Sequence, residues 1–370
     1  MAVRRRFKLS RFFSRKGNVM KRGIVLALLL AAGVLSITLA AIQDPGRGRG
    51  RGQQMEGLLQ QPQGPWQPGR VAKIERLRDN VYRILNTGSN STAFVTEAGV
   101  LLVETGYPGW GREILARLKE VTDKPITMVI STHTHVDHVG ANPELGVADK
   151  IEFVAHENAK AMMVKEPCSS LSGPGSGGCN AFKGENAKFV PKRTFKDKLS
   201  LKHGDLQVEL SYYGRAHTGG DIVVVFPQLR LAHIGDLLGW QGVPRVFPED
   251  GGSTIDFPDT LAKAQAAIRN VDTVITGHQT VMPWQNWVDV KDFLRVYVDQ
   301  VKAAHKAGKI VDEAIASMRW PEKFKVCPPE DTFVSQYDAD YPKFHSQCTY
   351  RTDQMKADTQ TAYNELDKTK

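Results

Sequence analysis

The chain has little cysteine: only four of its 370 residues are cysteine, and no two of them are spaced as C-x-x-C. That spacing is typical of zinc sites built from thiolates, so its absence argues against a cysteine-ligated zinc module. The G-x-S-x-G pattern of a serine nucleophile is also absent, as is any internal repeat of short period. Chemistry in this chain must therefore depend on other residue types.

Acidic residues are missing from the N-terminal stretch, where none occurs before Asp44. Residues 1–22 contain nine lysines and arginines, which equal the whole formal surplus of +9. The remainder of the chain is therefore close to neutral and lacks the positive field that nucleic-acid binding requires. We predict a small-molecule substrate and no nucleic-acid partner; the oligomeric state is left open.

An apolar run at residues 24–42 follows the basic stretch, and small residues stand near its end. This order predicts a secretory signal over residues 1–43, with Met20 as an alternative start. The run is also long enough to span a bilayer, so an uncleaved anchor remains the alternative. We expect a periplasmic or secreted protein, or one held at the inner membrane by residues 24–42.

The cysteines fall into two local pairs, Cys168 with Cys179 around a Gly/Ser-rich loop, and Cys327 with Cys348 near the C-terminus. In an oxidising compartment an even number of cysteines predicts disulfides. Each bond would stabilise the fold by roughly 2–4 kcal/mol. Four free thiols in a cytosolic protein are the alternative.

Composition divides the rest of the chain into three parts. Residues 44–70 are rich in Gly, Arg, Gln and Pro, which predicts a flexible linker. A folded domain is predicted over 71–308, and a C-terminal extension, stapled by the second disulfide, over 309–370. The role of this extension is left open between packing on the domain, covering a pocket edge and pairing two chains.

Runs of β-branched residues alternate with stretches of helical periodicity within the predicted domain, which favours a layered α/β fold. Strands are predicted at 81–85, 92–95, 100–103, 126–131, 151–155, 208–213, 222–226, 229–234 and 274–276, and helices at 110–121, 156–164, 260–268 and 290–307.

The densest cluster of metal-binding residue types follows the strand at 126–131: His133, His135, Asp137 and His138. Residues two apart in an extended chain point the same way, so His133 and His135 can reach one ion together. Asp137 and His138 follow where the chain turns and can address a second ion. Burying such a cluster without a partner is costly, so the pattern predicts a metal site.

The pattern His-x-His-x-Asp-His after a strand resembles the signature of the metallo-β-lactamase superfamily. Three later stretches resemble further motifs of that family in the same order: Gly214–Asp221, which contains His217; Ile234-Gly235-Asp236; and Thr276-Gly277-His278. Glu104-Thr105-Gly106 stands where the family usually has Asp-Thr-Gly, a departure that puts the supporting role of this acid in doubt. The resemblance covers roughly residues 72–300.

This resemblance implies an α/β fold with four layers in the order αββα, and a site for two zinc ions. The first ion would be held by His133, His135 and His217. The second would be held by Asp137, His138 and His278, with Asp236 bridging the two. Glu104 would support the ligands from behind.

The same resemblance implies a metal-dependent hydrolase whose metal-bridging hydroxide cleaves an ester, lactone, amide or related bond. Asp137 would orient the hydroxide and accept its proton. The substrate is not encoded in these motifs, because the surrounding loops form the pocket. Candidate pocket segments are 106–110, 167–182 and 240–252, with Tyr107, Trp110 and Trp240 as candidate apolar walls.

Three alternatives remain at this point. The first is a true β-lactamase, which the predicted export favours, although the cysteine ligand of one β-lactamase subclass is absent and Asp236 resembles the broader hydrolase branch. Some relatives use one iron to oxidise persulfides. A non-catalytic binding module on the same fold is the third alternative, against which the intact set of ligand positions argues.

Overall fold

The computed structural model describes residues 68–165, 181–238, 245–278, 281–321 and 352–368. The predicted signal or anchor segment, nearly all of the predicted linker, Trp240 and all four cysteines lie outside these residues. Among the helices of the described ranges, none combines the length and the apolar character needed to cross a bilayer. The predicted domain boundaries stay predictions.

Seven strands of the described part form the first sheet, which keeps chain order from β1 to β7. Neighbours are antiparallel from β1 to β4 and parallel from β4 to β7. The strands are β1 (Lys73–Arg78), β2 (Val81–Leu85), β3 (Ser91–Thr96), β4 (Gly99–Val103), β5 (Ile126–Ile130), β6 (Glu152–His156) and β7 (Arg193–Phe195).

Six further strands form the second sheet, in the order β13-β12-β11-β10-β9-β8. Only β11 and β12 pair in parallel; their neighbours are antiparallel. The strands are β8 (Lys198–His203), β9 (Leu206–Tyr212), β10 (Ile222–Phe226), β11 (Leu231–His233), β12 (Thr273–Ile275) and β13 (Met282–Pro283).

Helices connect or flank these strands. They are α1 (Gly111–Lys119), α2 (Val136–Val139), α3 (Glu157–Met163), α4 (Phe257–Ala267), α5 (Gln285–Lys306), α6 (Val311–Ser317) and α7 (Thr352–Asp367). The predicted helix at 290–307 begins five residues earlier than expected, at Gln285.

Alternate residues of the buried strands point into different apolar layers. On β4, Leu101 and Val103 belong to a core that also contains residues of the second sheet, whereas Val100 and Leu102 face a core beneath α1. Between the sheets, the rings of Phe94 and Phe226 stack with centroids 3.9 Å apart.

The outer face of the second sheet is covered by helices. Val223 and Val225 of β10 share an apolar core with Trp287 and Tyr297 of α5. Strands buried on both faces need such cover on each side, and the result is the predicted αββα sandwich. The parallel strands β4 and β5 end at one edge, where the loops that follow carry the polar motifs.

Candidate metal centre

The metal-binding residue types predicted from the sequence converge at this edge from separate loops. The stretch after β5 continues into the one-turn helix α2. The other stretches follow β9, β11 and β12. Three overlapping groups have potential ligand atoms within 4.8 Å of one another: His133, His135, His217 and Asp236; Asp137, His138 and His278; and Glu104, His133 and His138.

The first group brings together three imidazoles and a carboxylate. His217 Nε2 lies 3.0 Å from His135 Nδ1 and 3.5 Å from Asp236 Oδ2. The outer nitrogen of each of these rings donates to an oxygen: His135 Nε2 to Asp250 Oδ2 at 3.1 Å, and His217 Nδ1 to the Arg245 carbonyl at 2.6 Å. Both inner nitrogens therefore present lone pairs to the same point.

The second group shares Asp236 with the first. Asp137 Oδ2 and Asp236 Oδ2 each lie 3.2 Å from His278 Nε2. His138 Nε2 lies 3.2 Å from His278 Nε2 and 3.5 Å from Asp236 Oδ1. Asp236 Oδ2 faces ring nitrogens of both groups, and Oδ1 faces a ring nitrogen of the second group, so this carboxylate can contact two cations at once.

These donors fit a cation. His133 Nε2 is buried and makes no hydrogen bond within the described residues, a costly state for a polar atom without a ligand. The lone pairs of His135 and His217 repel each other unless a positive centre lies between them. Tetrahedral zinc with Zn–N bonds of about 2.0–2.1 Å places its nitrogens about 3.3 Å apart, close to the 3.0 Å and 3.2 Å observed here.

Two histidines of the first group, His133 and His217, favour the neutral form. Burial lowers the pKa of His133 well below its usual value. Burial, together with the neighbouring His135, lowers the pKa of His217 to about 3. Neutral imidazoles are the form that binds metal, so these two rings offer their lone pairs throughout the neutral pH range.

Carboxylates dominate the second group. Burial opposes protonation of His278, but Asp236 and Asp137 outweigh it and raise its pKa to about 10. Burial alone would raise the pKa of Asp137, yet His138 and His278 lower it to about 2. Burial likewise opposes ionisation of Asp236, yet His278 and His138 hold its pKa well below its usual value. Both carboxylates are therefore ionised at neutral pH, and a cation bound here must displace the proton of His278.

Glu104 takes a supporting position despite its departure from the family pattern. Its side chain is fully buried. Its Oε1 accepts a hydrogen bond from Thr132 N at 2.7 Å. Its Oε2 lies 3.0 Å from His138 Nδ1, at the distance of a hydrogen bond but not at its angle. The backbone of Glu104 has φ +67, so its conformation is costly for a side-chain-bearing residue.

We predict that Glu104→Gln weakens binding of the second metal ion by about 10- to 100-fold, the usual effect of losing a partner behind a ligand. The amide oxygen can still accept from Thr132 N, but the negative charge beside His138 is lost. Competition with a coloured chelator measures this affinity. Glu152→Gln, which removes an exposed ion pair with Arg193, is the control, and equal affinities in both variants would contradict the prediction.

Two glycines allow the loops to approach this closely. A Cβ at Gly235, whose φ is +52, would lie 2.2 Å from Thr132 Oγ1. A Cβ at Gly277 would lie 2.0 Å from Asp236 Oδ1 and 2.7 Å from His138 Cε1. Each loop can therefore come near the other ligands only where a side chain is missing.

Two residues near the centre were not predicted to support the ligands. Asp250, in a stretch that also fits a simple turn, is buried beside His135. Asn90 donates through Nδ2 to the Thr276 carbonyl at 2.8 Å and through its backbone N to the Gly277 carbonyl at 2.6 Å. Asn90 thereby fastens the stretch that carries His278.

Other side chains considered from the sequence lie in the core. Trp110 is fully buried beneath α1 and belongs to the apolar core rather than to a pocket wall. His233, three residues before Asp236, points away from the ligand groups towards the Asn90 carbonyl at 3.3 Å. His203 is held between Thr96 Oγ1 at 2.9 Å and Thr127 Oγ1 at 2.7 Å. The ring nitrogens of His233 and His203 therefore have hydrogen-bond partners within the core.

Comparison with known proteins identifies the family. The family model of the metallo-β-lactamase superfamily matches residues 85–278, just over half of the chain. The chain belongs to this superfamily and is a metal-dependent hydrolase, so the predicted family and enzyme class are confirmed. The predicted sandwich is confirmed with them. The individual ligand assignments stay predictions.

Individual relatives are distant. The chain is 25% identical to a metallo-β-lactamase type 2 of Elizabethkingia meningoseptica over 252 residues, covering 63% of this chain and 89% of the relative. It is 24% identical to a 2,4-dinitroanisole O-demethylase subunit alpha of a Nocardioides species, covering 46% and 47%. A metallo-β-lactamase structure from Pontibacter korlensis superposes with a TM-score of 0.49 at 17% identity, covering 60% of this chain and 99% of that one.

Proposed function

We propose that this chain is an exported hydrolase that binds two zinc ions and cleaves an ester, lactone, amide or related bond in a small molecule. The observation that carries the proposal is the position of Asp236. Its two oxygens face two separate groups of imidazole nitrogens. One carboxylate shared by two complete donor sets is the arrangement that a two-metal hydrolase needs.

The second group forms the open side of the centre. The side chains of His278, Asp236 and Asp137 are 21%, 12% and 10% exposed, whereas that of His138 is fully buried. A substrate therefore approaches past Asp137 and His278. Bound zinc would supply a nucleophile from water at neutral pH and polarise the bond to be broken. Asp137, ionised and at the opening, is placed to accept the proton of the attacking water.

Hydrolysis of β-lactams is a second candidate, favoured by the relatives that carry the name metallo-β-lactamase. Another relative at comparable identity is named as an O-demethylase, so similarity at this level does not select a bond. The proposed export rests on the basic and apolar N-terminal segment. Fractionation of cells producing the full chain tests it: recovery in the cytosol with an intact N-terminus would contradict export.

Metal removal is expected to abolish hydrolysis. Elemental analysis of the purified protein should show about two zinc ions per chain. Dialysis against a chelator should lower turnover by at least about 100-fold. Bound metal stabilises the transition state by several kcal/mol, and each 1.36 kcal/mol that is lost lowers the rate tenfold. Zinc added back should restore turnover. The assay is a panel of lactams, including a carbapenem, together with lactones, thioesters and phosphodiesters.

The same measurements separate the alternatives. One iron per chain together with oxygen consumption on persulfides would replace the hydrolase with an oxidative enzyme. Turnover of a carbapenem alone would select the β-lactamase. Full zinc occupancy without turnover on any member of the panel would contradict the proposed bond classes and favour a binding module.

A further inference from the structure

The C-terminal helix α7 packs on the domain although it lies far beyond the family match, which ends at residue 278. Ala362 and Tyr363 are buried in the core that covers the second sheet. The hydroxyl of Tyr297 on α5 lies 2.8 Å from Thr359 Oγ1. A helix added at this place can contact the loops that follow β11.

Glu365 makes that contact. Its side chain is only 17% exposed. One carboxylate oxygen accepts from Ser253 Oγ, and the other accepts from Thr254 N at 2.9 Å. Arg215 lies 3.9 Å away. A carboxylate with two acceptor contacts to one loop holds that loop against the helix.

The loop held by Glu365 is the end of residues 247–254, here called the Asp250 segment. Its backbone is tied to the turn that contains His217. Phe247 N donates to the His217 carbonyl at 2.9 Å, Ser253 N donates to the Ala216 carbonyl at 2.9 Å, and the Asp250 carbonyl accepts from Gly219 N at 2.8 Å. Movement of the Asp250 segment would therefore move His217 as well.

Side chains of the Asp250 segment also contact the first ligand group directly. Asp250 Oδ2 accepts from His135 Nε2, which leaves Nδ1 as the nitrogen that faces His217. The ring of Phe247 packs edge-on against His135 and His217, with centroids 4.5 Å and 5.1 Å apart. The segment thus sets both the ring orientation and the tautomer of His135.

We propose that Glu365 is a positioning residue for the first metal ion and acts through the Asp250 segment. The C-terminal helix is then part of the metal-binding machinery, beyond its contribution to the core. This inference rests on the proposed function only in requiring that the first group binds a metal ion. It assigns a role to residues 352–367 that no ligand motif predicts.

The test is metal affinity, measured without substrate. Zinc dissociation constants are obtained by chelator competition for the full chain and for Glu365→Ala and Asp250→Asn. Asp250→Asn should raise the constant of the first ion by about 10- to 100-fold, and Glu365→Ala, one step further from the metal, by about 10-fold. Cobalt-loaded samples should show changed visible absorption bands in both variants, because the orientation of His135 changes.

Thr359→Val is the matched control. Thr359 is on the same helix as Glu365, and its replacement removes the hydrogen bond to Tyr297 of α5 without touching the Asp250 segment. It should lower the melting temperature and leave the zinc affinity and cobalt spectrum unchanged. If Glu365→Ala does not fold, Glu365→Gln, which keeps one acceptor oxygen, replaces it. Affinity and spectra of the Glu365 variants equal to those of Thr359→Val would overturn the proposal. If the unaltered chain binds no metal, the proposed function fails instead.

Discussion

Asp137→Asn is expected to lower turnover by about 10²- to 10⁴-fold, the range for loss of a general base. The amide has almost the shape of the carboxylate, so the loop should keep its fold. It cannot accept a proton from water, and it removes one negative charge beside His278. The ionised state of Asp137 at neutral pH, a result of its two histidine neighbours, is what the reaction needs.

Metal content separates loss of the base from loss of the second metal ion in Asp137→Asn. Two zinc ions per chain with low turnover would assign the loss to proton transfer, whereas about one zinc ion per chain would assign it to the second ligand group, to which Asp137 belongs. Asp149→Asn, which removes an exposed ion pair with Lys192, is the control and should keep full turnover. Undiminished turnover in Asp137→Asn would show that another group takes the proton.

Much of the fold could be predicted because its buried strands are apolar runs. The strand Ile222–Phe226 is buried at every position and was predicted with those bounds. The strand Lys198–His203 was missed because lysines and serine alternate with its leucines, and none of its residues is β-branched or aromatic. The helix Gln285–Lys306 starts five residues before its predicted start; Trp284 and Trp287 stack there, a contact that periodicity does not show.

The ligand groups could be predicted for a different reason. Each stretch of metal-binding residues follows a strand, and the ends of strands from the two packed sheets bring these distant stretches together. Asp250 and Glu365 could not be found in this way. Their partners are 115 and 112 residues away in the chain, and a single acid in a turn or on a polar helix carries no local pattern. Only the packed helix and loop reveal what these carboxylates hold.

Gly277→Ala is expected to remove the second metal ion and to lower turnover by about 100-fold. The added Cβ would lie 2.0 Å from Asp236 Oδ1, so the shared carboxylate must move. The backbone cannot retreat, because Gly277 N donates to the Gly235 carbonyl at 2.7 Å and its own carbonyl accepts from Asn90 N at 2.6 Å. Overpacking of this kind costs about 1–3 kcal/mol, and each 1.36 kcal/mol corresponds to a tenfold change in rate.

Gly308→Ala is the control for a glycine replaced away from the centre. Nothing lies within 4 Å of the Cβ it would add, but its φ is +71, so alanine there costs about 1–2 kcal/mol of stability. Gly308→Ala should have a lower melting temperature than the unaltered chain and still bind two zinc ions. Gly277→Ala should differ from this control in binding less zinc per chain. Full zinc content and turnover in Gly277→Ala would mean that Asp236 can move without loss of metal binding or activity. A carboxylate that can move away from both ligand groups is not the ligand that bridges them.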